Sequence, residues 1–183
     1  EQTADDALKA AIAMLNILAE YNQTRQLPHR PPIAIGIGIN TGSVMLGTIG
    51  GRSRIDSTVI GDTVNLAARL EQLTKTYQTP LLISHDTVSA LHEPNDYCLR
   101  LIGRVQIRGK ANRVAIFEVF DADPAEVREG KLQTKSMFER ALMTRYGGQL
   151  KEAIALFQEC VRQNPGDAIA RAYLERDRKQ ALA

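Results

Sequence analysis

The chain has 183 residues, with 23 Lys and Arg against 21 Asp and Glu, and 44% of its residues are apolar. This length allows one full domain plus a small addition, and the composition excludes wholesale disorder. The charges are balanced on both sides of residue 120, which leaves no basic stripe of the kind that nucleic-acid binding requires. Two cysteines far apart in sequence, Cys98 and Cys160, imply no disulfide framework and are typical of a reducing compartment.

The first predicted elements are a helix and a pair of strands. Thr3 or Asp5 can cap the helix, which ends near Asn22 and carries apolar residues at three- and four-residue spacing. Two runs rich in Ile and Val, Ile33–Asn40 and Ser43–Gly50, are joined by a glycine-bearing turn. Residues 31–51 carry no charge, but their glycines and hydroxyls favour a buried hairpin over a membrane span. Residues 1–6 show no signal-peptide pattern.

Short strands and helices alternate over the next part of the chain. A strand is predicted at Ser57–Ile60, and Asp62 or Thr63 is predicted to cap a helix that runs to about Tyr77. The later elements are a strand at Pro80–Ser84, a helix at Asp86–Leu91, and strands at Tyr97–Ile102, Arg104–Ile107 and Val114–Phe120. Adjacent strands joined by tight turns indicate an α+β fold rather than a doubly wound sheet.

The chain after residue 120 is predicted to be entirely helical, with helices over about 124–146, 148–163 and 167–180. Its middle helices match a tetratricopeptide unit at small, small, aromatic and small positions, namely Ala141, Ala153, Phe157 and Cys160. A plain helical hairpin packed on the first domain is the alternative. The predicted organisation is a first domain at 1–120, a linker or helix start at 121–133, and a tetratricopeptide-like unit with a capping helix at 134–183.

Several familiar sites are excluded by spacing. The glycines at 36–38 lack the third glycine of a dinucleotide loop, and Thr48 stands where a Walker loop needs lysine. Strand packing explains these glycines better. His29, His85 and His92 have no metal-ligand spacing and are predicted to be surface or loop residues, and no Ser or Cys sits in a nucleophile elbow.

One pair of polar residues carries a functional hypothesis. Asn65 and Arg69 are four residues apart in a predicted helix, so they project from one face. Such a pair can bind phosphate oxygens and a sugar oxygen, although an exposed polar stripe is the commoner reason for it.

The surrounding sequence resembles the C-terminal half of the class III nucleotide cyclase catalytic domain. Three blocks carry the resemblance, and they are Gly36–Gly50, Asp56–Glu71 and Val105–Val119. Ser57 replaces a tyrosine that is usual in the middle block, which is otherwise highly specific. The resemblance covers residues 1 to about 120 and implies a ferredoxin-like cyclase homology domain whose first strands are absent from this chain.

The resemblance also implies roles for individual residues. Asn65 would orient the ribose, and Arg69 would stabilise charge on the α-phosphate. Thr58 falls at the position that helps choose the purine and favours ATP, although a hydroxyl can both donate and accept and so does not exclude GTP. Arg108 and Lys110 fall at or near the lysine that binds the triphosphate, and either could neutralise phosphate charge.

The family's metal-binding aspartates and its purine-selecting lysine precede the first residue of this chain. Mg²⁺ or Mn²⁺ is therefore expected as cofactor with ligands in the absent N-terminal part, no metal ligand is assigned here, and Asp5 and Asp6 are interpreted as cap residues. The resemblance implies an adenylate cyclase that converts ATP to 3′,5′-cyclic AMP and pyrophosphate, inactive as these residues alone. It further implies a homodimer with shared sites. The charge balance predicts no nucleic-acid partner, the cysteines predict a cytoplasmic location for this part of a parent protein that could be membrane-anchored, and the helical extension could bind a protein partner. The alternatives are a guanylate cyclase and a non-catalytic interaction module.

Overall fold

A long helix, a set of mixed strands and helices, and a three-helix end follow one another along the chain. The computed structural model describes residues 3–25, 30–51, 54–106 and 113–182. The helices are α1 (Thr3–Thr24), α2 (Asp62–Tyr77), α3 (His85–Ala90), α4 (Ala125–Tyr146), α5 (Leu150–Gln163) and α6 (Ala168–Ala181). The strands are β1 (Ile37–Ile39), β2 (Met45–Gly51), β3 (Arg54–Ile60), β4 (Leu81–Ser84), β5 (Leu99–Gln106) and β6 (Arg113–Val119). The predicted α+β class is confirmed, and none of the described helices has the length and apolar character that crossing a membrane requires.

The strands form a four-stranded mixed sheet and a separate two-stranded ribbon. The order in the sheet is β1-β4-β6-β5, with β1 parallel to β4 and the other neighbours antiparallel, and β2 pairs with β3 alone. The prediction that the first two strands form a hairpin is therefore wrong, because β1 pairs with β4 and β2 pairs with β3. Nor is the second run buried, since Met45 and Leu46 are 73% and 81% exposed.

The other predicted elements need two changes. The strands predicted at Tyr97–Ile102 and Arg104–Ile107 are one strand, β5, and Gly103 lies at a register shift within it rather than in a turn. Asp62 does not cap α2, because the capping position is Gly61, which offers no side chain. The remaining predicted helices and strands are confirmed to within a few residues.

The four-stranded sheet has a different helical layer on each face. Successive residues of a strand point to opposite faces, so Leu82 packs with α2 while Leu81 and Ile83 pack with α1. The extension formed by α4, α5 and α6 lies on the same side as α2, where Ile102 and Ile116 of the sheet join its apolar core. On this face α2 packs against β1 and β4, the extension packs against β5, and α2 meets α6 where the two lie side by side.

The extension packs as its sequence pattern predicts. The four residues at the predicted close-packing positions are fully buried, namely Ala141, Ala153, Phe157 and Cys160. Phe138 of α4 meets Phe157 edge-on, with ring centroids 5.5 Å apart. The same apolar core includes Leu66 and Leu70 of α2, so the helices pack on the first domain as the helical-hairpin alternative expects. The tetratricopeptide likeness and the domain boundaries stay predictions.

Charged side chains also join the extension to the sheet. We call Arg100, Glu118, Asp123, Lys131 and Asp167 the ionic cluster. Arg100 of β5 is fully buried and donates to both carboxylate oxygens of Asp167, at 2.6 and 2.8 Å, and to Glu118 of β6. Lys131 of α4 donates to Glu118 at 3.0 Å and to Asp123 at 2.7 Å. Asp167 in turn caps α6 by accepting from the Ala170 amide at 3.0 Å. The sheet and two helices of the extension thus share one set of buried ion pairs.

Candidate functional site on helix α2

The first turn of α2 is fixed by a single glycine that connects it to β3. Gly61 adopts a φ of 155°, which a residue with a Cβ rarely takes. Its carbonyl accepts from the amides of Val64 and Asn65 at 3.1 and 3.2 Å, so the helix begins at once. Asp62 lies in this first turn, where a carboxylate interacts favourably with the positive end of the helix dipole. The sharp connection keeps the start of α2 close to the end of the β2–β3 ribbon.

Polar contacts attach the same end of α2 to the segment between β1 and β2. The Asn40 side chain donates to the carbonyl of Thr63 at 2.9 Å. The Thr63 hydroxyl donates to the carbonyl of Ser43 at 2.8 Å. These bonds hold the chain two residues before Asn65, in the turn that presents the candidate pair.

The body of α2 lies close against β1 because Gly38 of that strand and Gly36 just before it have no side chain. A Cβ on Gly38 would overlap the backbone of α2 at Ala67 and Glu71, and one on Gly36 would overlap Thr74. The interpretation of these glycines as packing residues, rather than as a phosphate loop, is therefore confirmed.

Asn65 and Arg69 lie on α2 as the sequence predicts, and both are exposed. Leu66 and Leu70, each one residue further along, are 4% and 0% exposed and face the core. The helix therefore presents an amide and a guanidinium one turn apart on a solvent-facing side while its neighbouring face is anchored. Within the described residues, neither side chain takes part in a hydrogen bond or ion pair of the fold, so both can bind a ligand. Their catalytic roles remain predictions.

The other predicted site residues are only partly located. Thr58 lies on β3 opposite Gly47 of β2 and seven residues before Asn65, and its side chain is outside the described part of the structure. Arg108 and Lys110 lie outside the described residues, between β5 and β6. The structure thus brings Asn65 and Arg69 together on one helix and leaves the positions of the other three side chains as predictions.

The described residues do not fit a divalent-metal centre. Within residues 3–25, 30–51, 54–106 and 113–182, no three His, Cys, Asp or Glu side chains are grouped so as to hold an ion. The Asp5 carboxylate, buried near the start of α1, accepts from the His92 amide at 3.0 Å and from the Tyr97 hydroxyl at 2.9 Å. The hydrogen bond from the His92 backbone amide is the main cause that lowers the pKa of Asp5. Asp5 therefore ties α1 to the segment after α3, a role that differs from the predicted cap.

Sequence reasoning missed the charged groups that are buried between the sheet and the extension. Arg100 of the ionic cluster stands between Leu99 and Leu101 in an apolar strand, and its cross-strand neighbour Glu118 stands in another. The sequence could have indicated this buried ion pair, because each of two adjacent apolar strands carries one charged residue at a core position. Three tyrosines that end or line the helices, Tyr77, Tyr146 and Tyr173, were missed as well.

The family assignment follows from the whole first domain. A family model described as the adenylate and guanylate cyclase catalytic domain matches residues 1–119, well over half of the chain. The chain belongs to this cyclase family. The exposed Asn65–Arg69 pair lies inside the matched region, and the extension from α4 onwards lies beyond it.

Two curated relatives of this cyclase chain are named adenylate cyclases. One, from Anabaena cylindrica, is 46% identical over 120 residues, covering 63% of this chain and 24% of the relative. The other, the terminal-differentiation specific adenylate cyclase of Dictyostelium discoideum, is 33% identical over 174 residues, covering 94% of this chain and 8% of the relative. The second alignment is too long for the first domain alone and therefore includes helices of the extension. The chain spans a quarter or less of each of these relatives.

Solved cyclase structures share the fold. The chain matches a crystal structure of the adenylyl cyclase CyaB from P. aeruginosa with a TM-score of 0.55 and 32% identity, covering 64% of this chain and 59% of that one. It matches a crystal structure of a guanylyl cyclase with a TM-score of 0.51 and 33% identity, covering 63% and 57%. The cyclase-like α+β fold is therefore shown, while the choice of purine is not.

Proposed function

We propose that this chain supplies the ribose- and phosphate-binding half of an adenylate cyclase active site. The reaction is conversion of ATP to 3′,5′-cyclic AMP and pyrophosphate, by attack of the ribose 3′-oxygen on the α-phosphorus with pyrophosphate leaving. The observation that supports it most is the exposed Asn65–Arg69 pair on an anchored helix, within a region 46% identical to a named adenylate cyclase.

In this proposal the two side chains act as fixed donors. Arg69 donates to oxygens of the α-phosphate, where negative charge increases in the transition state, and Asn65 orients the ribose. A preorganised donor of this type contributes roughly 10²–10³ in rate. Arg108 and Lys110 are proposed to bind the triphosphate, and Thr58 to contact the purine.

We further propose that the metal-binding residues belong to sequence outside these 183 residues, so that the chain has no cyclase activity alone. When bound, Mg²⁺ or Mn²⁺ supplies Lewis-acid chemistry at the phosphates. The described residues offer no group of three metal-ligating side chains for the ion.

A homodimer that combines both halves of the site is part of the proposal. Apolar side chains on the β2–β3 ribbon support it, since Met45 and Leu46 are largely exposed and Val59 is 42% exposed. Exposed apolar groups that lie together are typical of protein–protein contacts. A protein partner for the extension and a cytoplasmic location are proposed from the sequence, and the two free cysteines agree with the latter.

The test is cyclic AMP production from ATP with Mn²⁺ by the full-length protein. Arg69→Ala is expected to lower kcat by roughly 10²–10³. Lys75→Ala is the matched control, because Lys75 is an exposed cation on the same helix and carries no assigned role. A correctly folded full-length protein without activity would leave the non-catalytic module as the better account. Equal activities for an active parent and Arg69→Ala would instead reject the role of Arg69.

The second candidate function is guanylate cyclase, which the 33% identity to a solved guanylyl cyclase favours. The two differ in the purine edge that is recognised, so competition between ATP and GTP separates them. We expect the parent to prefer ATP, Thr58→Asp to keep that preference, and Thr58→Cys to shift it towards GTP. A parent that prefers GTP would reverse the assignment.

A further inference from the structure

Three tyrosine hydroxyls from three helices converge over one glycine of β5. We call Tyr77, Tyr146 and Tyr173 the tyrosine cluster. A Cβ placed on Gly103 would lie 3.0 Å from the Tyr173 hydroxyl oxygen, 3.3 Å from that of Tyr77 and 3.7 Å from that of Tyr146. The rings of Tyr77 and Tyr173 have centroids 6.3 Å apart. Since these residues belong to α2, α4 and α6, the cluster is the point where the extension meets the candidate helix.

The cluster sits on an irregularity of the sheet. The register between β5 and β6 shifts between Leu101 and Gly103, so Ile102 has no direct partner across the strand. The Tyr173 hydroxyl donates to the carbonyl of Ile102 at 2.6 Å and so satisfies a buried group at this bulge. Burial raises the pKa of both Tyr146 and Tyr173, which keeps these hydroxyls protonated. The extension is therefore attached to the sheet at the bulge of β5 by a buried hydrogen bond.

The same cluster fixes the end of α2. Leu66, Leu70, Leu73 and Tyr77 recur at helical spacing and face the core that the extension shares. Tyr77 is the last residue of α2, about 12 Å along the helix from Arg69 at 1.5 Å per residue. The start of α2 is held by Thr63 and the end by Tyr77, so both the rotation and the axial position of the helix are set.

We propose that the extension is a positioning element of the cyclase site, in which Tyr173 and Tyr77 hold α2 so that Arg69 meets the α-phosphate. This inference rests on the proposed function of Arg69 and adds the extension to it. A displacement of about 1 Å at a reacting group can cost roughly 10²-fold in rate, so loosening the far end of α2 is sufficient to lower turnover. Tyr173 and Tyr77 are positioning residues, because they act through Arg69 and touch no substrate in this proposal.

The test compares two losses of a buried hydrogen bond in the full-length protein. Tyr173→Phe removes the bond from α6 to the sheet. The control, Asn164→Ala, removes a bond of the same kind within the extension, from the Asn164 side chain to the carbonyl of Val127 at 3.1 Å, away from α2. We expect Tyr173→Phe to lower kcat about tenfold with little change in KM for ATP, and Asn164→Ala to leave both unchanged below its melting temperature.

Two further variants separate positioning from general destabilisation. Gly103→Ala removes no polar group, but its added methyl group would displace the hydroxyls of Tyr173 and Tyr77. It should therefore lower kcat as Tyr173→Phe does. In an Arg69→Ala background, Tyr173→Phe should have no further effect on kcat, because its effect passes through Arg69. Equal kcat values for Tyr173→Phe and Asn164→Ala, or an undiminished effect of Tyr173→Phe without Arg69, would overturn the inference.

Hydrogen exchange distinguishes failure of this inference from failure of the proposed function. Tyr173→Phe should speed exchange of the α2 amides around Asn65 and Arg69, and Asn164→Ala should not. Faster α2 exchange in a protein without cyclase activity would support the positioning role and reject the proposed function. Unchanged α2 exchange in an active cyclase would reject the positioning role alone.

Discussion

Replacing Arg100 by methionine tests how far the ionic cluster stabilises the fold. Arg100 is fully buried, and its guanidinium carbon lies 4.0 Å from the centre of the Phe138 ring. Methionine retains an unbranched apolar side chain that packs well on an aromatic ring, so the change removes mainly the charge and its donors. Asp167 then loses both bonds from Arg100, while Glu118 keeps its bond from Lys131.

Breaking a buried pair from one side costs about 3–5 kcal/mol, because the remaining charge stays buried without its partner. For a protein of this size, that free energy corresponds to a fall in Tm of about 6–20 °C. A second substitution, Asp167→Asn, should restore part of the loss, because asparagine removes the unpaired charge and can still cap α6.

The loss should also depend on pH. Burial alone would raise the pKa of Asp167, but the hydrogen bonds and charge of Arg100 more than offset burial and hold the pKa below its ordinary value of 3.8. In the parent, this group therefore stabilises the fold above pH 3.8 and ceases to do so as the pH falls through the lowered pKa. In Arg100→Met, burial acts without Arg100 and raises the pKa of Asp167. The destabilisation of the variant is thus greatest at neutral pH and shrinks as the pH falls through that raised pKa.

Urea unfolding followed by circular dichroism at pH 7 and pH 5 measures both effects. Arg162→Met is the control, since the Arg162–Glu159 pair has the same chemistry but the Arg162 side chain is 72% exposed. It should leave the unfolding midpoint nearly unchanged. The reasoning is refuted if Arg100→Met costs less than about 1 kcal/mol at pH 7, the range of an exposed pair. It is also refuted if the cost is the same at both pH values.

Two further predictions concern packing and thiol reactivity. Gly38→Ala should destabilise the protein by about 1–3 kcal/mol in thermal unfolding, because the added methyl group meets the backbone of α2. Gly47→Ala is the control and should not destabilise it, because no described atom lies within 4 Å of the new carbon. Equal effects of the two variants would contradict the close approach of β1 and α2. Burial raises the pKa of Cys160 to about 11, so iodoacetamide at pH 8 should alkylate Cys98 first and Cys160 only on unfolding, as peptide mass spectrometry would show, whereas equal rates would contradict the burial of Cys160.

Local patterns predicted most of the secondary structure, and the errors occurred where tertiary contacts decide. The helix predicted from the capping position to about Tyr77 is confirmed as α2, and the four-residue spacing of Asn65 and Arg69 was sufficient to place both on one face of it. The pairing of β1 was not predictable in this way, because a short strand can pair with its sequence neighbour or with a distant one. In the structure β1 pairs with the distant strand β4, and Gly36 and Gly38 allow this part of the chain to lie close to α2.

The candidate site was predictable only in part, for two physical reasons. Asn65 and Arg69 lie on one continuous helix, so their spacing alone fixes their relative position. The tyrosine cluster joins residues 77, 146 and 173, which are far apart in sequence. Its geometry depends on a bulge in β5 at Gly103, where the sequence predicted only a break between two strands. Loop-borne groups such as Arg108 and Lys110 depend on a connection whose conformation the strand pattern does not specify.

Because the sheet and the extension share buried ion pairs, the region matched by the family model is shorter than the part of the chain that folds as one unit. The match to the family model ends at residue 119, but a polypeptide cut there would leave Arg100 facing solvent with Asp167 removed, beside an uncovered apolar surface that includes Ile102 and Ile116. Recombinant protein ending at that boundary is therefore expected to aggregate, whereas protein ending after α6 retains its partners. For the same reason, exchanging these helices for unrelated ones is expected to destabilise the first domain, because Arg100 would stay in the sheet without Asp167.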